Sequence, residues 1–205
     1  RPRVLVAGDG PKIVYVRFRD ALGNESGVMS AGILLDTVAP TGTVTVNTGA
    51  EWTASTAVTL TLTSDDGDGS GAAWMRFSND GVDWSAWEAL SATRAWSLAS
   101  GDGDKIVYLQ LRDGAGNVST TISDGIKLDT AAPTGTVIIN GGAAYTGLSD
   151  VTLSLTADDG TGSGVADMRF SNDGTAWSTW EFFVNSRVWS VTTGDGVKTV
   201  HVAYR

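Results

Sequence analysis

Apolar and polar residues alternate with a period of two along most of the chain. Residues 57–63 (AVTLTLT) alternate valine or leucine with threonine, and residues 105–113 (KIVYLQLRD) follow the same pattern. Such alternation predicts half-buried strands, with one face in a core and the other in water. Strands are therefore predicted near residues 42–47, 57–64, 72–79, 84–90, 93–99, 105–113 and 118–128, with turns rich in glycine, aspartate and asparagine between them.

The chain also repeats itself at an offset of 93 residues, as from Asp36 to Asp129. DTVAPTGTV at the first of these positions aligns with DTAAPTGTV at the second, and MRFSNDGVDWSAW from Met75 aligns with MRFSNDGTAWSTW from Met168. No insertion is needed, and over half of the aligned positions are identical, which is typical of tandem arrays.

The frame of the repeat predicts three segments. Residues 1–37 are the C-terminal part of one repeat, residues 38–130 are a complete repeat, and residues 131–205 are a repeat that lacks its last strand. A repeat without one strand leaves an uncovered sheet edge. We therefore expect that either neighbouring sequence or another chain supplies the missing strand.

Seven short strands in a complete repeat predict an immunoglobulin-like (Ig-like) sandwich. The predicted fold class is thus all-β, with tandem Ig-like β-sandwich repeats of 93 residues. The linker DTAAPTG, the GSGV before the strand that carries MRFSNDG, and the RDGAGN at the end of a strand resemble bacterial Ig-like repeats. This resemblance implies an extracellular or cell-surface location, in the stalks of adhesins or beside the catalytic domains of large secreted proteins.

Composition and charge exclude several classes of function. The formal net charge of −9 leaves no basic face for nucleic acid or for an anionic membrane surface. No apolar run is long enough to span a membrane, and the absence of cysteine excludes thiol chemistry. We expect no enzymatic activity, because His201 is the single histidine and aligns with Tyr15 and Tyr108 on an outward strand position.

The tryptophans form the first set of candidate contact residues. Asn79, Asp80 and Gly81 predict a hairpin turn, and Trp84 and Trp87 follow it. Because these two tryptophans are predicted on opposite sides of a strand, one should enter the core and the other should cover the outer face or edge of the sheet.

Other tryptophans are assigned from their alignment. Trp96 and Trp189 are predicted in the cores, whereas Trp74 aligns with Asp167 and should be exposed. The candidates for a contact with a sugar, a partner chain or an adjacent module are Trp74, Trp84 and Trp52.

The acidic loop at residues 64–71 (SDDGDGSG) supports two interpretations. In an Ig-like topology it lies at the same end as the loop that follows residues 105–113, close to the incoming linker. A calcium site would then use Asp36, Asp65, Asp66, Asp68, Asp113 and Asn117. The alternative is that these residues only cap turns, and Thr161 in place of Asp68 in the next repeat is consistent with this alternative.

We expect a non-catalytic structural or adhesive repeat that forms a semi-rigid stalk or filament, with neighbouring Ig-like repeats as its partners. Short linkers with the sequences TVAP and TAAP favour this interpretation, since proline restricts the backbone. Two alternatives remain. One is a carbohydrate-binding accessory module of a secreted enzyme, with a polysaccharide as its ligand, and the other is self-assembly by strand complementation.

Overall fold

A computed structural model describes residues 4–205 as an almost entirely β-stranded chain. Its strands are β1 (Gly10–Val16), β2 (Met29–Leu35), β3 (Thr41–Val46), β4 (Trp52–Thr53), β5 (Ala57–Asp65), β6 (Ala72–Ser78), β7 (Glu88–Ala89), β8 (Thr93–Ser97), β9 (Gly103–Asp113), β10 (Ile122–Leu128), β11 (Thr134–Ile139), β12 (Asp150–Asp158), β13 (Asp167–Ser171), β14 (Glu181–Phe182), β15 (Ser186–Ser190) and β16 (His201–Tyr204). Two short 3-10 turns occur at Asn47–Gly49 and Asn140–Gly142. None of the helices described is long and apolar enough to cross a bilayer.

The chain divides into two compact units, and the first comprises most of residues 4–127. In this unit β1 and β2 form an antiparallel hairpin in which Gly10 pairs with Leu35. One sheet of the following sandwich has the order β3-β5-β8, and the opposing sheet places β10, β9, β6 and β7 side by side in that order. All of the recorded pairings in these two sheets are antiparallel.

The inward-facing residues of the two sheets form one core. Alternation in β5 buries Val58, Leu60 and Leu62, while the intervening threonines are exposed. The buried cluster consists of Val44, Val46, Val58, Leu60, Leu62, Met75, Phe77, Leu98, Val107, Leu109, Leu111 and Ile126. Because both sheets contribute, the fold is a β-sandwich, and the predicted all-β, Ig-like class is confirmed.

The second unit, which contains residues 128–205, is built in the same way. One sheet has the order β11-β12-β15 and the other has the order β14-β13-β16. Its core consists of Val151, Leu153, Leu155, Met168, Phe170, Val191 and Val200. Phe170 and Trp189 lie with ring centroids 5.2 Å apart, as Phe77 and Trp96 do at 5.4 Å in the first unit.

The strand predicted at 84–90 is largely wrong. Only Glu88–Ala89 is a strand, and Trp84 and Trp87 lie before it in irregular backbone. The Ser85 N–H donates to the Phe77 carbonyl at 2.8 Å, whereas the Phe77 N–H donates to the Ser85 hydroxyl at 3.0 Å. The Ser85 hydroxyl thus takes the place of a backbone carbonyl in the hydrogen bonding between this segment and β6. The regular alternation of side chains between the two faces of the sheet therefore ends at this segment.

Candidate functional site

Three aspartates meet at one end of the first sandwich. Asp36 lies on the linker before β3, Asp66 lies in the loop after β5, and Asp113 ends β9. One carboxylate oxygen from each lies within 4.8 Å of the others, and we call these three residues the acidic cluster. Asp36 is 8% exposed and Asp113 is 1% exposed, whereas Asp66 is half-buried, so two of the three side chains are withdrawn from bulk water.

Backbone N–H groups hold two of the three carboxylates in place. Asp36 Oδ2 accepts from the Ser70 N–H at 2.7 Å, and Asp36 Oδ1 accepts from the Val38 N–H at 3.2 Å. The Ser70 hydroxyl, followed by these N–H groups, lowers the pKa of Asp36. Asp113 Oδ1 accepts from the Gly116 N–H at 2.6 Å. The carboxylates of Asp36 and Asp113 are therefore both held in fixed orientations.

Asp66 is the least satisfied member of the acidic cluster. Its Oδ2 accepts from the Gly71 N–H at 2.7 Å, but its Oδ1 is buried and has no hydrogen-bond partner. Burial raises the pKa of Asp66 from its usual value, and the charges of Asp36 and Asp113 raise it further. A carboxylate that has one buried oxygen without a donor and that lies beside two other carboxylates is a group that a cation would stabilise.

The other three predicted calcium ligands lie outside this group of carboxylates. Asp65 Oδ1 accepts from the Gly67 N–H at 2.9 Å in a turn, and Asp68 is exposed. The Asn117 side-chain amide donates to Asp113 Oδ2 at 2.8 Å and to the Asp36 carbonyl at 3.2 Å. Asn117 thus presents its nitrogen to the carboxylate of Asp113 and acts as a support, while the Asp65 side chain stabilises the turn.

The second unit repeats part of this arrangement. Asp129 Oδ2 accepts from the Ser163 N–H at 2.7 Å, and Asp159 Oδ2 accepts from the Gly164 N–H at 2.8 Å. Asp159 Oδ1 is again buried without a partner. Within residues 4–205, however, no third carboxylate joins Asp129 and Asp159, so only the acidic cluster of the first unit offers three carboxylates.

The outer face of the first unit carries a second candidate feature, a stack of tryptophan and arginine side chains. The Arg76 guanidinium lies 5.0 Å from the Trp84 ring centroid and 4.6 Å from that of Trp87. The Arg112 guanidinium lies 4.7 Å from Trp87 and 5.4 Å from Trp74. Trp84, Arg76, Trp87, Arg112 and Trp74 therefore form one alternating series, which we call the Trp-Arg stack.

The Trp-Arg stack corrects the prediction for Trp84 and Trp87. Neither ring belongs to the buried core, since both stack against Arg76 on the outward face of β6. The attraction between a guanidinium and an aromatic face keeps both rings at this surface. Trp96, in contrast, packs on the core as predicted, and its Nε1–H donates to Asn79 Oδ1 at 2.8 Å.

The two other predicted contact tryptophans differ in exposure. Trp74 is 40% exposed at the end of the Trp-Arg stack, as its alignment with Asp167 predicted. Trp52 is half-buried in β4. A contact of Trp74, Trp84 or Trp52 with a ligand or partner stays a prediction.

A shorter stack occurs in the second unit. Arg169 lies 4.8 Å from Trp177 and 4.4 Å from Trp180, and Arg205 lies 4.6 Å from Trp180. Neither stack was predicted from the sequence. The sequence nevertheless contains a pattern that could have predicted the stacks. Arg76 and Arg112 occupy outward strand positions, and both arginines recur in the second unit, as Arg169 and Arg205, together with the recurring tryptophans.

Comparisons with known proteins complete this description. No protein-family model and no curated protein sequence matches the chain. Among solved structures it is similar to the fibronectin(III)-like modules of Clostridium thermocellum CbhA, with 14% identity over 78% of this chain and 84% of that chain at a TM-score of 0.42.

Two solved adhesin structures are also similar. A Ca²⁺-stabilized adhesin that helps an Antarctic bacterium reach out and bind ice shares 22% identity over 95% of this chain and 56% of that chain, with a TM-score of 0.44. A tetra-tandem repeat in the extending region of a large adhesion protein shares 20% identity over 96% of this chain and 48% of that chain, with a TM-score of 0.36. The chain spans about half the length of these two adhesin chains.

Proposed function

We propose that this chain is a non-catalytic, extracellular structural repeat of a bacterial surface or secreted protein, and that it acts as a semi-rigid spacer whose partners are neighbouring Ig-like repeats. The proposal is supported by the near-identity of the two linkers. A spacer made of tandem repeats requires that each repeat and the linker to the next repeat have the same structure. In this chain both the sandwich sequence and the linker sequence recur.

The linkers recur in their hydrogen bonds as well as in their sequence. Asp9 Oδ1 accepts from the N–H of Thr37 at 3.2 Å and from its hydroxyl at 2.8 Å. Asp102 Oδ1 accepts from the same two groups of Thr130 at 2.9 and 2.8 Å. These bonds hold each linker to a turn of the preceding repeat, and proline at residues 40 and 133 fixes φ a few residues later.

Calcium binding at the acidic cluster is the second part of the proposal. The observation that carries it is the buried, unpartnered Oδ1 of Asp66 beside Asp36 and Asp113. Carboxylate oxygens are the ligands that Ca²⁺ prefers, and each of them retains lone pairs for a cation after accepting an N–H bond. Because Asp36 belongs to the linker, whereas Asp66 lies in a loop of the sandwich and Asp113 lies at the end of β9, a bound ion would hold the linker on the repeat that follows it.

Small-angle X-ray scattering of residues 1–205 tests the spacer role. We expect a narrow distribution of particle dimensions, and a broader one when Asp9→Ala and Asp102→Ala release both linkers. Asp104→Ala is the matched control, since Asp104 is an exposed aspartate at the start of β9, two residues after Asp102. A wild-type distribution as broad as that of the double variant would contradict a semi-rigid spacer.

Thermal unfolding with Ca²⁺ and with chelator tests the metal site separately. A ligand that binds the folded state raises its stability by mass action, so Ca²⁺ should raise the Tm of the wild-type chain. Asp113→Asn should abolish this increase, whereas Asp68→Asn should preserve it, because Asp68 lies outside the acidic cluster. A Tm that is equal in Ca²⁺ and chelator would remove calcium from the proposal and leave the spacer role untouched.

A further inference from the structure

Within the part of the chain that the structure describes, the guanidinium of Arg112 has no hydrogen-bond acceptor. Its guanidinium is half-buried between the rings of Trp87 and Trp74, at 4.7 and 5.4 Å. Among residues 4–205, no carboxylate or carbonyl accepts a hydrogen bond from it, whereas its neighbour Arg76 donates from Nε to Gln110 Oε1 at 2.9 Å. The N–H donors of Arg112 are thus available to an anion that approaches the outer face.

The second unit shows which anion fits this position. Arg205 aligns with Arg112, and its Nε donates to Asp167 Oδ2 at 2.9 Å. Asp167 in turn occupies the position of Trp74. The arginine at this position therefore pairs with a carboxylate in one repeat. In the other repeat a tryptophan replaces that carboxylate, and among residues 4–205 no acceptor takes its place.

We infer that Trp74 and Arg112 form a binding site for an acidic sugar, namely a hexuronate residue of a polysaccharide. The sugar carboxylate takes the place on Arg112 that Asp167 takes on Arg205, in a charge-assisted hydrogen bond. The apolar face of the sugar ring stacks on the exposed part of Trp74. This inference goes beyond the spacer role, since it assigns a ligand to one face of one repeat.

The surroundings of Trp74 favour a flat ligand. Its cross-strand neighbour on β7 is Ala89, whereas the neighbour of Asp167 on β14 is Phe182, which is 83% exposed. The small side chain of Ala89 covers little of the indole, and Trp74 is 40% exposed. Trp74 also combines an apolar surface with an adjacent cation, and a uronate presents the complementary apolar ring and anion.

The negative charge of the whole protein does not prevent this contact. The formal net charge of −9 repels a polyanion at long range, but at physiological ionic strength such repulsion is screened beyond about 8 Å. A direct bond to a half-buried guanidinium is screened much less. Binding should therefore persist at moderate salt concentration and depend on Arg112 itself.

The test is NMR titration of residues 1–205 with tetragalacturonate, following the indole N–H of each tryptophan and the Nε–H of each arginine. Tetragalactose, which lacks the carboxylate, is the neutral control, and chelator is present throughout to exclude calcium bridging. We expect tetragalacturonate to shift the Trp74 and Arg112 signals in a saturable way, with an affinity at least about tenfold higher than that of tetragalactose.

Variants of both repeats make the result decisive. Trp74→Asp recreates the internal pair of the second unit and should weaken binding about tenfold or more. Asp167→Trp combined with Phe182→Ala copies the first repeat into the second and should add a second site, seen at Arg205. Retained binding in Trp74→Asp, or equal shifts with the neutral tetrasaccharide, would overturn the inference.

An acidic peptide is the remaining test ligand. Tetraglutamate offers carboxylates without a sugar ring. If it shifts Arg112 as strongly as tetragalacturonate does, the ring stacking on Trp74 is wrong and the site recognises acidic protein segments instead. If tetraglutamate binds at least several-fold more weakly, the sugar assignment stands.

Discussion

Replacing Gln110 with alanine should destabilise the first sandwich, because it removes the acceptor for a half-buried arginine. Gln110 Oε1 accepts from Arg76 Nε at 2.9 Å and from Arg76 Nη2 at 2.6 Å. In the second unit the position of Gln110 is Ala203, which is paired with Arg169, and there Arg169 Nε is buried without a partner. The second unit thus already shows the state that Gln110→Ala would produce.

The expected cost follows from the loss of two bonds to a charged donor. Leaving a buried donor without an acceptor costs about 1–3 kcal/mol, and we expect about 2 kcal/mol for Gln110→Ala. For a sandwich of this size, each kcal/mol corresponds to about 4–8 °C in Tm. The reverse change, Ala203→Gln, supplies the missing acceptor to Arg169 and should stabilise the second unit by about 1 kcal/mol.

Urea unfolding followed by tryptophan fluorescence measures both changes. Gln110→Glu is the matched control, since a carboxylate keeps an acceptor near Arg76 and should retain most of the stability. A free-energy change below about 0.5 kcal/mol for Gln110→Ala, together with no gain in Ala203→Gln, would refute the reasoning. It would mean that stacking alone satisfies the arginine, or that water replaces the glutamine.

Further predictions concern close packing and pH. In Gly42→Ala the new Cβ would overlap the Thr63 carbonyl and lie 2.8 Å from Leu111 Cδ1, so the free energy of unfolding should fall by about 1–3 kcal/mol. Gly125→Ala is its control, because its nearest neighbour lies 3.4 Å away, and the same urea assay should show little change. Asp80 has a lowered pKa, chiefly from the N–H groups of Val82 and Asp83 and then the Ser78 hydroxyl. A lowered folded-state pKa gives stability that is present above the unfolded value of 3.8 and is lost as the pH falls below it. Unfolding measured between about pH 5 and pH 2 should show this loss in wild type and a smaller one in Asp80→Asn; identical profiles would exclude the Asp80 contribution.

Much of the fold could be predicted from the period of two. The alternation in β5 and β9 places valines and leucines inward, and the structure buries them. The segment at 84–90 could not be predicted in this way. Its register depends on the Ser85 hydroxyl, which accepts the Phe77 N–H in place of a backbone carbonyl. The alternation of apolar and polar residues gives no indication of this side-chain hydrogen bond.

The candidate sites were predictable only in part, for a similar reason. Chain topology was enough to suggest that Asp36, Asp66 and Asp113 approach one another, because loops at one end of a sandwich converge. It could not separate Asp66 from Asp65, since adjacent residues in a turn point in different directions. The Trp-Arg stack was missed because it joins side chains from two strands and an irregular segment, and only their cross-strand register brings them together.

The most direct test of the proposed calcium-held linker is a count of bound ions. Isothermal titration of residues 1–205 with Ca²⁺, starting from chelated protein, should reveal one ion per chain with a dissociation constant of about 0.1–1 mM, as in extracellular modules. Asp66→Asn should remove this ion, and Asp65→Asn should retain it, because the carboxylate of Asp66 and not that of Asp65 belongs to the acidic cluster. No binding at several millimolar Ca²⁺, or loss of binding in Asp65→Asn alone, would contradict the proposed site.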